Sequence, residues 1–250
     1  MAKTTKSSGG FGELVRTVIY AVIIAVAIRT FAFEPFNIPS ESMLPTLLVG
    51  DYLFVAKFSY GYSRYSLPFG PPLFSGRILE RPPKRGDVVV FKLPRDTSVD
   101  YIKRVIGLPG DHIQMRDGDL YINGQKCPRR KVDDYVLHEP DGNVQRITQY
   151  IETLPNGVQH PVLALNPNSE VNNTKEYVVP PDHYFMMGDN RDNSTDSRFP
   201  PDIGVGYVPA ENLVGPAEIL FFSFNGDAPI WEFWLWPWTL RFDRFFELIH

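Results

Sequence analysis

Two serines, Ser40 and Ser42, stand two residues apart in the stretch Ile38-Pro-Ser-Glu-Ser-Met-Leu-Pro-Thr-Leu-Leu-Val-Gly-Asp51. Pro39 and Pro45 fix their own φ and push the residues before them away from helix, so both hydroxyls sit on a constrained, extended or turning backbone. Such a backbone suits a presented nucleophile, and a Ser/Pro linker has the same composition. A serine attacks a carbonyl only when a neighbouring base takes its proton, so the choice between the two depends on a base elsewhere in the chain. There is no Cys-His pair, Gly-x-Ser-x-Gly elbow, phosphate loop or Ser-x-x-Lys spacing. His112, His138, His160, His183 and His250 form no HxH or HExxH pattern and read as structural or surface residues.

A base is offered by Lys103 in Asp100-Tyr-Ile-Lys-Arg-Val-Ile106, which reads as a strand ended by the Gly107-Leu-Pro-Gly-Asp111 turn. Strand alternation puts Tyr101, Lys103 and Val105 on one face and Ile102, Arg104 and Ile106 on the other. A strand lysine ordinarily reaches its ammonium to solvent. With a pKa of about 10.4 it stays protonated near neutral pH, and lowering that by two to three units, roughly 3 to 4 kcal/mol, makes it a usable base. Burial among apolar groups would do this, and Arg104 would add like-charge pressure if its side chain comes near.

The third polar feature is a loop. Tyr184 to Met187 is an apolar strand that runs straight into Gly188-Asp-Asn-Arg-Asp-Asn-Ser-Thr-Asp-Ser-Arg198, with no apolar side chain. A calcium loop fits poorly, because a register starting at Asp192 places Ser197 where Gly is needed and Ile203 where the closing Glu belongs. A solvated turn remains open beside a scaffold in which Asp196 and Arg198 pair while Ser194 or Asn193 reaches an active centre.

The elements that must position these groups are mostly β. Among 250 residues there are 23 prolines, 19 glycines, 18 Phe and 12 Tyr, which favours short strands and turns over a helical bundle. Asp51 to Lys57, Val88 to Leu93 and Leu213 to Phe224 read as strands, and Leu120 to Gly124 as a hairpin turn. Phe58 to Pro83 reads as a loop, a substrate or lipid contact or an ordinary connection. Residues 14–33 are apolar except for Arg16, Thr17, Arg29 and Thr30, about the ~20 residues a bilayer needs. A cleaved signal peptide ending near Ala25-Val-Ala27 competes, but the apolar run continues to Phe33, which favours an uncleaved anchor. Lys3, Lys6 and Arg16 outweigh Arg29 with Glu34, placing residues 1–13 in the cytoplasm. The expected organisation is a single transmembrane helix, a large β-rich catalytic domain over 34–111 and 182–250, and a smaller β-rich lobe inserted at 112–181. The stretch Trp231 to Trp238, with Arg241 and Arg244, reads equally as a membrane-interface element or as packing on the domain's own core. Net charge is −4 with both signs mixed, which argues against nucleic acid as a partner. Cys127 stands alone, excluding an intramolecular disulfide and a Cys-based zinc cluster.

Pro39-Ser-Glu-Ser-Met-Leu-Pro-Thr-Leu, Arg85-Gly-Asp-Val-Val-Val-Phe, Tyr101-Ile-Lys-Arg-Val-Ile-Gly-Leu-Pro-Gly-Asp and Gly188-Asp-Asn-Arg-Asp-Asn-Ser-Thr-Asp-Ser-Arg occur in that order. Together they resemble the boxes of bacterial type I signal peptidases (leader peptidases), and the resemblance covers most of residues 13–224. It implies that Ser42 is the nucleophile, Lys103 the general base, and Ser40 with the Ser42 N–H the oxyanion hole. It further implies that Ser194 hydrogen-bonds and orients the lysine, with Asp196 and Arg198 as a supporting ion pair. Phe36, Ile38, Leu47, Tyr101 and Ile102 match positions lining shallow apolar pockets. The implied substrate is a preprotein signal peptide with small residues at P1 and P3, lying extended along Glu34 to Ile38 and Asp100 to Lys103. The implied setting is the bacterial inner membrane, crossed once, with the catalytic domain on the outer (periplasmic) face, membrane lipid and the export machinery as neighbours, and no metal or cofactor. Better-known Gram-negative members carry a second membrane segment and a cysteine pair in the insertion, both missing here. A repressor-type self-cleaving protease shares the Ser-Lys pair but needs a DNA-binding domain. A non-catalytic, membrane-anchored β-rich binding module would leave Lys103 exposed.

Overall fold

The computed structural model describes residues 10–68, 70–138, 143–225, 234 and 236–249. It opens with helix α1 (Phe11–Phe31), the one helix among the described residues long and apolar enough to cross a membrane. At 1.5 Å per residue its 21 residues rise roughly 32 Å, close to the thickness of a bilayer's hydrocarbon core. Of its side chains only Thr30 is buried against the rest of the protein. The helix starts three residues before the expected 14–33 span and ends two residues earlier. Ala32 leaves helical geometry, and Phe33 already belongs to a strand, its ring edge-on to Phe54 and Phe58.

The strands are β1 (Phe33–Asn37), β2 (Asp51–Ala56), β3 (Val88–Leu93), β4 (Asp96–Gly107), β5 (His112–Arg116), β6 (Asp119–Ile122), β7 (Gln125–Lys126), β8 (Arg129–Lys131), β9 (Tyr135–His138), β10 (Val144–Thr153), β11 (Gln159–Ala164), β12 (Tyr177–Val178), β13 (His183–Met187), β14 (Val208–Pro209) and β15 (Leu213–Ser223). Seven of them form one antiparallel sheet in the order β1-β2-β15-β3-β4-β13-β14. The run Val88 to Phe91 shows why β3 lies centrally. Val88 and Val90 join Met43, Leu47, Leu53 and Val55 in one core cluster, while Val89 and Phe91 join Val105, Met186 and Val208 in another. Buried on both faces, β3 has no need of polar alternation.

Residues 112–178 form two small sheets: β12-β5-β6-β7, and β11-β10-β8 with β9 also on β10. In the first, the Asn123-Gly124 turn takes positive φ at both residues (54° and 76°), as a tight hairpin requires. The second packs on the part that carries the serines: Ile147 of β10 and Leu163 of β11 pack with Leu44, two residues after Ser42.

After β15 the chain folds back. Asp51, fully buried at the start of β2, accepts hydrogen bonds from Ser223 Oγ (2.6 Å), Leu48 N (2.8 Å) and Arg244 Nη2 (2.8 Å). Arg241 donates to the Val49 and Phe224 carbonyls, and Arg244 to the Thr46 carbonyl. Both arginines therefore point into the domain, and Trp236 lies edge-on to Phe222. Trp234, Phe242 and Phe246 stay largely exposed, so this segment combines the two readings of its composition; Trp231 lies outside the described residues. Removing the Asp51 charge leaves two guanidinium groups facing a neutral partner in a largely buried site. Asp51→Asn is expected to lower unfolding free energy by about 3 kcal/mol in a denaturant titration.

Candidate active site

Ser40 is extended (φ −134°, ψ 159°) and precedes a single 3₁₀ turn, Glu41–Met43, that turns Ser42 inward while seating Met43 in the core. Lys103, on β4, meets it there. Lys103 Nζ lies 2.6 Å from Ser42 Oγ and 2.9 Å from the Ile102 carbonyl, and both side chains are buried, at 3% and 8% exposure. Its ammonium lies 5.3 Å from the Tyr101 ring centroid. Burial lowers the Lys103 pKa from 10.5 to about 8, against the opposing pull of Asp196 and Asp189. Arg104 plays no part in that shift, contrary to the expectation of like-charge pressure. It points away from Lys103 and donates to Asp189 through Nε (2.9 Å) and Nη2 (2.7 Å).

The loop after β13 braces this pair. Asn190 N donates to the Ser42 carbonyl (3.2 Å) and its side chain to the Glu41 carbonyl (3.1 Å), while Thr46 Oγ1 donates to Asp189 (2.5 Å). Burial would raise the Asp189 carboxyl, but Arg104 and His160 outweigh it and hold it well below the usual carboxylate range. Asp196 and Arg198 form the expected buried pair, with Nε–Oδ1 and Nη2–Oδ2 distances both of 2.9 Å. Ser194 is buried here too, but makes no hydrogen bond to Lys103. Arg198 and the Gly188 N–H hold the Asp196 carboxyl below its usual range against burial. Gly188 marks how closely the parts approach: a Cβ there would lie 2.3 Å from Ser194 Oγ and 2.4 Å from the Ser42 carbonyl oxygen.

Sequence reasoning missed two further members. Glu152 of β10 and His160 of β11 are fully buried against this loop, Glu152 paired with Arg191 and His160 with a ring nitrogen 3.2 Å from Asp189. His160, which read as structural or surface, lies in the charged layer directly behind the dyad. No local pattern marks it, since its partner is 29 residues away in sequence.

In front of the dyad is a cavity of about 570 Å³, walled by Phe36, Ile38 and Ser40 on one side and by Tyr101 and Ile102 on the other. Its walls are the free edges of the large sheet. β1 pairs only with β2, and β13 covers β4 only from Arg104 to Gly107, which leaves the edge from Asp100 to Lys103 open. The two edges stand at different places in the strand order, so the sheet must coil back on itself to bring them to one cleft, as strongly twisted sheets do. Leu47 departs from the expected pocket lining: it is fully buried in the core cluster that contains Ile38 and forms no part of the wall. Ser40 Oγ lies 3.4 Å from Ser42 Oγ at the same opening. Among the described residues no group of three or more His, Cys, Asp or Glu side chains is placed to hold a metal ion. A buried serine–lysine pair beside an open strand edge is equipped for acyl transfer on an extended peptide.

A sequence model of the family described as signal peptidase, peptidase S26, matches residues 11–222. The signal peptidase I of Rickettsia typhi is 42% identical over 248 residues, covering 92% of this chain and 91% of the relative. That of Rickettsia massiliae is 43% identical over 265 residues, covering 99% and 94%. A crystal structure of a signal peptidase I from Enterococcus faecalis is 28% identical and covers 54% of this chain and 97% of that one, with a TM-score of 0.31. With the match running from the apolar helix to β15, and relatives above 40% identity over more than nine-tenths of the chain, this protein belongs to the signal peptidase family, peptidase S26.

Proposed function

We propose that this chain is a membrane-anchored endopeptidase that removes signal peptides from exported preproteins, with Ser42 as nucleophile and Lys103 as general base. The observation that carries the reading is the 2.6 Å contact between Lys103 Nζ and Ser42 Oγ in a buried site. In its neutral form Lys103 accepts the Ser42 proton as Oγ attacks the scissile carbonyl, and then passes that proton to the leaving amine. The acyl-enzyme ester is hydrolysed by water, with Lys103 again as base. The carbonyl oxygen, now an anion, is met by the Ser40 hydroxyl and the Ser42 N–H on the first turn of the 3₁₀ helix. Ser194, Asp196 and Arg198 act as positioning residues around the lysine.

The substrate completes the open sheet as an added strand between β1 and β4. Phe36, Ile38, Tyr101 and Ile102 then leave room only for small side chains at P1 and P3. Burial of Lys103 speaks against a binding module with that lysine in solvent. With α1 in the bacterial inner membrane and its N-terminus cytoplasmic, the cleft faces the outer side at the membrane surface, where preproteins emerge from the export machinery. The exposed Trp234, Phe242 and Phe246 suit contact with lipid.

Three outcomes test this. Ser42→Ala and Lys103→Ala should each abolish cleavage of a preprotein while leaving the circular dichroism spectrum unchanged; parental rates in both variants would sink the dyad. Ser40→Ala should lower kcat by about 10² to 10³, the usual cost of one oxyanion donor, with little change in KM. The active form has Lys103 unprotonated, so kcat/KM should rise with pH until it levels above the Lys103 pKa of about 8. A rate flat from pH 6 to 10 would exclude Lys103 as the base.

A further inference from the structure

The substrate cleft does not end at Phe36. Phe36 and Asp100 also line a second cavity, of about 500 Å³, which extends from the cleft to the last turn of α1. Its lining is polar. Three cations, Arg29, Lys57 and Lys92, stand against two carboxylates, Glu34 and Asp100. Glu34 is shared between Arg29 (2.7 Å) and Lys57 (2.8 Å), and Lys92 holds Asp100 (2.9 Å), so one positive charge is left over. Thr30, the one buried side chain of α1, also lines this cavity.

We infer that this cavity is a second subsite of the same cleft, receiving the peptide side chains about four to six residues upstream of the scissile bond and favouring acidic over basic ones. The inference rests on the catalytic reading above. The membrane-embedded part of a signal peptide lies upstream of its cleavage site, so the peptide must reach Ser42 from the α1 end. A peptide paired along β1 advances in step with it, and from Ile38 back to Glu34 is four residues, roughly 13 Å at about 3.3 Å each. The upstream side chains at that distance fall beside Glu34, Lys57 and Lys92. The surplus positive charge rejects a basic side chain there.

The test uses the full-length chain in neutral detergent micelles and one peptide with Ala at P1 and P3, varied at the fifth residue upstream. The parent enzyme should cleave the Asp peptide with a kcat/KM about fivefold above the Lys peptide, the most that an exposed ion pair contributes. The double variant Arg29→Gln/Lys92→Gln should abolish or invert that order, while rejection of Leu at P1 stays unchanged. Cleavage indifferent to the fifth residue overturns the inference while leaving the dyad intact; failure to cleave any peptide overturns the catalytic reading and this inference with it. If the double variant slows all peptides equally, and only when an anionic phospholipid is added to the micelles, the cavity holds a lipid headgroup and the inference is wrong.

Discussion

The structure depends on keeping one amine out of water. A lysine able to accept a proton near neutral pH must lose the hydration that favours its charge, and Lys103 does so between β3, the Ser42 turn and the loop after β13. Burial outweighs Asp196 and Asp189, which lie close enough to pull its pKa back up. Each of those carboxylates is itself held by an arginine, Arg104 for Asp189 and Arg198 for Asp196. Buried pairs of this kind contribute little net stability, but removing one partner would leave a buried charge uncompensated beside the lysine.

The same compactness explains the division of labour among the sheets. The large sheet supplies two backbone edges with a gap between them. The sheet β11-β10-β8 supplies no wall of the cleft. It fills the space behind the loop after β13 with Leu163, Glu152 and His160. Gly188 sits where the loop and the Ser42 turn touch, and only a residue without Cβ permits that contact.

Much of this was legible in the residues. Alternation and β-branched runs located β2, β3 and β15 to within a residue and the later part of β4, which begins four residues earlier at Asp96, and the apolar N-terminal run located α1, because burial on a strand or exposure to lipid imposes a local pattern. The serine, the lysine and the Asp196–Arg198 pair were legible through the resemblance of their stretches. The partners of Arg104, Arg191 and Arg244 were not: each meets a carboxylate far away in sequence, and strand periodicity fixes the face of a residue without naming what lies opposite. Ser194 and Leu47 show the complementary limit. Their stretches match, yet the Ser194 hydroxyl makes no hydrogen bond to Lys103, and Leu47 sits beneath the cleft rather than in its wall, since side-chain direction is decided by packing.

Lys103 and Arg104 are neighbours on one strand, and a one-residue slip in the pairing of β4 would exchange their faces. The cleft would then contain a guanidinium, which does not release its proton in proteins. Only Arg104 in its present place can grip Asp189 at two points and the Gly86 carbonyl at a third. A misaligned strand would forfeit all three contacts and bury Asp189 without its counter-ion. The Arg104–Asp189 pair therefore works as a proofreading key for strand alignment: the fold closes only around the cation that can be discharged.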